Sequence, residues 1–318
     1  MAITGKRIVV AINPSASFGK NKAVGAHVVE RITAAGHEVV ELREPSYAQL
    51  VASAHAAVAT KPDAFVIVGG DGMVNLGVNV LATTSVPLGI VPSGTGNDMA
   101  RSLGIPHDSI DGALDVILSA VNRPPAEIDA GLISHADDDG NPKQTWFACM
   151  ISAGVDAKAN ERANRMTRPK GAVRYLIALV AELAVLKPIK YTLTIDGETT
   201  SPSGVLVAVG NGVSLGGGMK ATPDAMLDDG QLDVLLVEPL SRFAFLRIFP
   251  RVYNGTHVSD PRVSIRRASR VVIDSPGMTA YADGERLGPL PIDVEVVPGA
   301  LFVLAPEPSF EVPIVIAK

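Results

Sequence analysis

Two glycine-rich turns carry the groups best placed to do chemistry. The first lies in Val66-Ile67-Val68-Gly69-Gly70-Asp71-Gly72-Met73-Val74-Asn75. The second lies in Val91-Pro92-Ser93-Gly94-Thr95-Gly96-Asn97-Asp98-Met99-Ala100-Arg101. In each, an apolar run empties into glycines and then into a helical pattern. Glycine lets backbone come close to an anion, and the helix that follows offers free N–H groups and the positive end of its dipole. Two such turns about 25 residues apart suit a nucleotide phosphate chain. Gly69, Gly70, Gly72, Ser93, Gly94 and Thr95 are the candidate phosphate contacts. Asp71 is a carboxylate where phosphate would repel it, unless Mg²⁺ or a hydroxyl nucleophile stands between them; an ordinary Asp-Gly turn is the plainer alternative. Asn75 would orient the first loop, and Asn97 or Asp98 would either meet the ligand or cap the helix.

The elements that must hold these turns follow from periodicity. Strands are expected at Arg7–Ile12, Glu38–Leu42, Ala64–Val68 and Leu88–Val91. Helices are expected at Lys22–Ala35, Tyr47–Ala59, Val74–Leu81 and Asn97–Leu103. Strands alternating with helices predict βαβ units on a parallel, doubly wound sheet. Ligands of such sheets bind beyond the carboxyl ends of the strands, where Asn13, Gly69–Gly72 and Ser93–Asn97 fall. After about Pro124 short strands replace helices: Trp146–Ser152, Lys190–Ile195, Gly204–Gly210, Gln231–Val237, Arg270–Ser275, Thr279–Ala282 and Ile292–Val297. Turn signals such as Asp229-Gly230, Asp283-Gly284 and Pro298-Gly299 separate them, which predicts an antiparallel, β-sandwich-like domain. The expected division is an α/β nucleotide-binding domain over 1–128 and a sandwich-like substrate domain over 129–306, with 307–318 returning to the first.

Composition narrows the function classes. The chain has 318 residues, is 47% hydrophobic and 19% charged, and carries a formal charge of −5. That supplies a core and gives no global field for nucleic acid, so no nucleic-acid partner is expected. A single cysteine, Cys149, rules out an internal disulfide and reads as a small buried hydrophobe in a cytoplasmic protein. The start of the chain has no signal-peptide pattern. The longest apolar helix candidate, Tyr175–Leu186, is too short to span a bilayer and contains Glu182. Six histidines show no ligand spacing, so no zinc or iron site is expected.

The paired glycine motifs resemble those of the diacylglycerol kinase catalytic domain family, which includes bacterial lipid kinases and sphingosine kinases. The second motif matches at Pro92, Gly94, Thr95, Asn97, Asp98, Ala100 and Arg101. Further matches run in order through Asn13-Pro14-Ser15, Gly154-Val155-Asp156-Ala157, Gly217–Ala225, Leu227–Val234 and Asp283-Gly284-Glu285. Met73 and Leu76 depart from the family pattern, which has Thr and Glu there. The resemblance implies an ATP-dependent lipid kinase, with diacylglycerol as the foremost acceptor and phosphatidic acid as product. It implies that Glu285 is the general base and that Asp129 supports the reacting centre. It also implies an Mg²⁺ site formed by the Asp229 carboxylate and the carbonyls of Met226 and Gln231. Other readings are a kinase for a sphingoid base, ceramide or another alcohol, an NAD kinase, and a catalytically weak nucleotide- or lipid-binding protein.

One feature bears on the partner. Seven arginines (Arg242, Arg247, Arg251, Arg262, Arg266, Arg267 and Arg270) stand in the 240–272 region against one acid, Asp260. Phe243, Phe245, Leu246, Ile248 and Phe249 interleave with the first three. A surface of this kind meets anionic headgroups while the site takes a lipid alcohol; a solvated helix face and a charge-blunted edge strand are the alternative. Peripheral membrane association and a homodimeric assembly are expected.

Overall fold

A computed structural model describes residues 5–13, 22–166, 177–178, 181–182 and 187–307. The first region alternates β1 (Arg7–Ile12), α1 (Lys22–Ala34), β2 (Glu38–Leu42), α2 (Tyr47–Ala59), β3 (Ala64–Gly69), α3 (Asp71–Leu81), β4 (Leu88–Pro92), α4 (Asp98–Ser102) and α5 (Ile110–Ala120). Its strands run parallel in the order β4-β3-β1-β2. Alternation along β1 shows why the sheet is covered on both faces. Ile8, Val10 and Ile12 pack with Val28 and Ile32 of α1 and with Leu114 and Ile117 of α5. Val9 and Ala11 pack with Leu50 and Ala54 of α2 and with the buried face of α3.

The second region is antiparallel. It comprises β5 (Ala126–Ala136), β6 (Pro142–Phe147), β7 (Met150–Gly154), α6 (Val155–Arg165), β8 (Ile189–Lys190), β9 (Thr192–Ile195), β10 (Glu198–Thr200), β11 (Ser203–Gly204), β12 (Leu206–Gly210), β13 (Ser214–Leu215) and β14 (Met219–Lys220). There follow β15 (Leu232–Val237), α7 (Arg242–Ile248), β16 (Val263–Ala268), β17 (Arg270–Asp274), β18 (Thr279–Ala282), β19 (Glu285–Pro289) and β20 (Ile292–Val303). One sheet runs β16-β15-β12-β7-β18-β19. The other joins β10, β9, β17 and β20, with β5 on β20 and β6 on β5. Ile151, Val207, Val209 and Val234 from the first meet Ile133, Leu193, Val271 and Val294 from the second in a shared core. Fold class thus follows the expectation, an α/β sheet plus a β-sandwich-like unit.

Several element limits differ from the sequence reading. Helix α3 starts at Asp71 rather than Val74, because Gly70 takes the cap position and its carbonyl accepts the amides of Met73 and Val74. The expected strand Trp146–Ser152 is two strands. The chain leaves one sheet after Phe147 and joins the other at Met150, and a side chain from elsewhere takes the amides at the crossing. Pro298-Gly299 is no terminal turn: β20 passes through it as an irregularity, with Gly299 at φ +61, and reaches Leu88 of β4 through Val303. Strands β5, β10, β13, β14, β16 and β19 have no counterpart in that reading. The expected return of 307–318, the Pro14-Ser15 match and most of Tyr175–Leu186 lie outside the described residues.

Candidate active site

Backbone contact between the two glycine turns defines the site. A Cβ on Gly70 would stand 2.9 Å from the Gly94 Cα, and one on Gly94 would press still closer on Gly70. Only two glycines permit this approach. The turns are fixed further by the Ser93 amide, which donates to the Gly69 carbonyl at 2.9 Å. Asn97 adopts a left-handed conformation at φ +53, and its side chain folds back on its own loop. It accepts from the Gly94 amide at 3.1 Å and donates to the Gly94 carbonyl at 3.2 Å. Asn97 therefore shapes the second turn and caps nothing with its side chain. Thr95 is exposed at the tip and Ser93 half-buried. Asn13, at the end of β1, lies beside Gly69.

Three carboxylates stand behind these turns. Asp71 lies against Gly96 and accepts the Asp98 amide at 3.1 Å. Burial, and then the Asp98 charge, raise its pKa. Asp98 reaches into the second region: its carboxylate accepts the amides of Gly217 (2.9 Å) and Gly218 (3.0 Å). Those glycines sit at φ +92 and +94, which turns consecutive N–H groups toward one anion. Asp283 accepts the amides of Ala148 (2.9 Å), Cys149 (3.1 Å) and Met150 (2.8 Å), the three exposed by the β6–β7 crossing. Desolvation outweighs these bonds and pushes its pKa up to about 6.

Asp283 and Gly284 form the left-handed turn that launches β19, so Glu285 projects from the first residue of that strand. Its Oε1 would lie 3.0 Å from a Cβ placed on Gly72. The structure thus brings Glu285 onto the first glycine turn. Tyr47 completes this edge. Its hydroxyl donates to the Gly72 carbonyl at 3.2 Å, and burial together with the Glu285 charge pushes its pKa up to about 12.

Other sequence candidates lie elsewhere. Asp129, 3% exposed on β5, spends its two oxygens on the amides of Gly230 (2.7 Å) and Gly299 (2.9 Å). Its own amide donates to the Leu227 carbonyl. Asp129 therefore shapes the 226–231 loop, and the structure records no bond from it to the glycine turns. In that loop Asp229 accepts the Gln231 amide through Oδ1, while its buried Oδ2 has no hydrogen-bond partner and faces Arg267 Nη1 at 3.5 Å. Met226 is exposed at the loop's edge. Among the described residues no three His, Cys, Asp or Glu side chains form a metal-holding group. Asn75 offers its carbonyl to Asn79, which in turn bonds both backbone groups of Trp146 and so ties α3 to β6. Met73 and Leu76 are 1% and 2% exposed and belong to the core under the sheet. Leu76 packs within that core, and Met73 also lies against Gly69, where an added Cβ would collide with its Cγ, so its apolar bulk backs the first glycine turn.

A small apolar cavity of about 80 Å³ lies beneath α7. Leu206, Leu235, Val237, Phe245 and Phe249 are among its walls, and His257 is its one polar lining side chain. His257 Nε2 lies 3.0 Å from the Ala221 carbonyl, so that nitrogen carries the proton. Leu215 and Met219 of the β13–β14 hairpin also line the cavity. The same hairpin carries Gly217 and Gly218 to Asp98, so one short element touches both the nucleotide turns and the apolar space. Sequence reasoning missed Tyr47, Asp283, Asn79 and His257. A usable signal existed only for Asp283, in the Asp-Gly-Glu turn.

Comparison with known proteins gives the family and the fold. Residues 7–130 match the diacylglycerol kinase catalytic domain, and residues 149–305 match the YegS C-terminal NAD kinase beta sandwich-like domain. A diacylglycerol kinase of Mycobacterium tuberculosis is 38% identical over 94% of this chain and 95% of its own. One from Bacillus subtilis is 28% identical over 90% and 92%. A crystal structure of a diacylglycerol kinase from Bacillus anthracis superposes with a TM-score of 0.70 at 21% identity, covering 96% of this chain and 98% of that one. Yeast NADH kinase complexed with NADH shares the fold more distantly, at a TM-score of 0.58 and 13% identity over 100% of this chain and 91% of its own. The chain belongs to the diacylglycerol kinase family and is a lipid kinase of that kind.

Proposed function

We propose that this member of the diacylglycerol kinase family transfers the γ-phosphoryl group of ATP to the hydroxyl of diacylglycerol, giving phosphatidic acid and ADP. The observation that carries the reading is the position of the Glu285 carboxylate against Gly72, on the turn whose backbone and helix would cradle the phosphates. Phosphoryl transfer needs little covalent help from the protein. It needs the phosphates positioned, the developing charge balanced and the hydroxyl proton accepted. Gly69–Gly72 and Ser93–Gly96 suit the first task, with the N-terminus of α3 directed at the anion. Glu285 suits the last: it takes the acceptor proton as the hydroxyl oxygen bonds to phosphorus and the bridging oxygen departs with ADP. Asp283 anchors the turn that carries Glu285, and Tyr47 holds the Gly72 carbonyl of the loop that faces it.

Mg²⁺ would supply positive charge to the phosphates and rigidity to the second region. Asp229 with the carbonyls of Met226 and Gln231 would hold a hard cation through Asp229 Oδ2, a buried oxygen with no hydrogen bond, once Arg267, now 3.5 Å from it, is displaced. The rest of its coordination shell would have to be carbonyls and water. The bilayer is where diacylglycerol resides, so the enzyme works at a membrane surface. Among the described residues no helix is long and apolar enough to cross one.

The test is a label-transfer assay with γ-labelled ATP, Mg²⁺ and mixed micelles of diacylglycerol, ceramide or sphingosine, with Glu285→Ala as control. Labelled phosphatidic acid that disappears in the variant is the expected result. Label on ceramide or sphingosine changes the acceptor, and nucleotide binding with no label on any lipid overturns the reading.

A further inference from the structure

The arginine-rich segment separates into two classes once its partners are seen. Arg262 pairs with Asp260, Arg266 with Glu198, Arg267 with Asp229 and Arg270 with Asp293. Arg251 donates to the Thr256 carbonyl and the Ser259 hydroxyl. Arg242 and Arg247 are exposed, and the structure records no ion pair for either among the described residues. Both belong to α7. Between them on the same helix, Phe243 is 79% and Leu246 59% exposed. A large aromatic and a leucine held in water beside two uncompensated cations mark an interaction surface.

The opposite side of α7 is of another kind. Phe245, Ile248 and Phe249 turn inward and line the apolar cavity. Phe245 stacks on Phe249 at 5.5 Å, and Phe249 meets Tyr253 edge-on at 6.3 Å. The helix is short, seven residues begun by the Ser241 hydroxyl on the Ala244 amide and continued by a 3₁₀ segment, Phe249–Asn254. One thin element therefore separates an outward apolar and cationic face from an inward apolar space.

We propose that α7 docks this enzyme on an anionic bilayer. Phe243 and Leu246 enter the acyl boundary, and Arg242 and Arg247 engage headgroup phosphates. Charge complementarity selects this partner: two guanidinium groups with no ion pair among the described residues flank the apolar pair, in a chain whose overall charge is −5. The inference rests on the lipid-kinase reading for its substrate and on the surface alone for its membrane.

The experiment uses the full chain and sedimentation with vesicles of phosphatidylcholine, with and without phosphatidylglycerol. Arg242→Gln/Arg247→Gln should lose about thirtyfold in affinity for the anionic vesicles, because each basic side chain near such a surface strengthens attachment by about fivefold. Phe243→Ser/Leu246→Ser should lose about tenfold or more on the same vesicles. Turnover of vesicle-borne diacylglycerol should fall in parallel with binding, while Glu285→Gln, inactive, should sediment as the wild type does. Wild-type affinity in both double variants overturns the docking face. Lipid that is never phosphorylated, with vesicle binding still dependent on α7, removes the kinase reading and leaves the docking face standing. A single substitution, Phe243→Trp, guards against misfolding of the double variants. Its added emission should be quenched by lipids brominated along the acyl chain, and an unquenched signal on bound protein overturns the proposal.

Discussion

The two halves of the molecule build their binding surfaces from different material. Around the glycine turns the surface is backbone: Gly70 and Gly94 touch through main-chain atoms, and Asp98 and Asp283 are held by consecutive amides. Around the cavity the surface is side chain, contributed by Val155, Leu206, Leu235, Phe245, Val263 and others far apart in the chain. Backbone surfaces tolerate no added atom and suit a ligand of invariant shape, such as a triphosphate. Side-chain surfaces are soft and replaceable, and suit acyl chains that differ in length. The difference teaches why a nucleotide site can be copied between enzymes while the acceptor site beside it diverges.

Five substitutions sharpen or break that contrast. Glu285→Gln should lower kcat by about a thousandfold with ATP affinity retained, the scale expected for a missing general base; steady-state kinetics with nucleotide titration would check it, and near-normal turnover would remove Glu285 from the chemistry. Gly94→Ala should cost about a hundredfold in kcat/KM, since parting the turns by even an ångström misplaces the phosphates. A similarly small residue in the cavity wall, such as Val237→Ala, should instead alter chain-length preference, read from a series of acyl chains. Equal damage from both changes would erase the distinction.

Protonation offers a fourth test. Burial raises Asp283 in the folded state to about 6 from an ordinary 3.8, so the folded protein holds this proton more tightly than the unfolded chain. The associated stability is full below about pH 4 and lost as pH rises through about 6. Asp283→Asn cannot titrate. The stability of the wild type relative to Asp283→Asn should therefore decline between those pH values, by on the order of 3 kcal/mol. Denaturant midpoints measured across that range check the sign, and a rising difference would show that the three amides win over desolvation. The smallest effect is expected at Met73→Thr, which restores the residue usual in the family. It should destabilise the fold by about 2 kcal/mol through lost packing and a buried hydroxyl, with the KM for ATP unchanged.

Much of the first region was legible because its signals are local. Strand and helix periods, glycine after each apolar run, and the Asp-Gly-Glu turn all reside within a few neighbouring residues. Limits failed where another part of the chain intervened. Trp146–Ser152 reads as one apolar strand, yet it divides at Ala148–Cys149 because Asp283 takes its amides. The seven arginines read as one basic field, yet Glu198, Asp229, Asp260 and Asp293 quench four of them. Met73 and Leu76 read as lost polar contacts, yet both face the core.

The sequence by itself determined the family, the α/β and antiparallel halves, and the residue types of the phosphate loops. These depend on backbone conformations that each short segment specifies alone. Only the tertiary structure decided that Gly70 would meet Gly94, that Asp98 would grip Gly217 and Gly218, that Glu285 would stand over Gly72, and that Arg242 and Arg247 would form no ion pair among the described residues. Those outcomes depend on which distant amides and charges the packing of two sheets brings within a hydrogen bond of one another, and no local period encodes that.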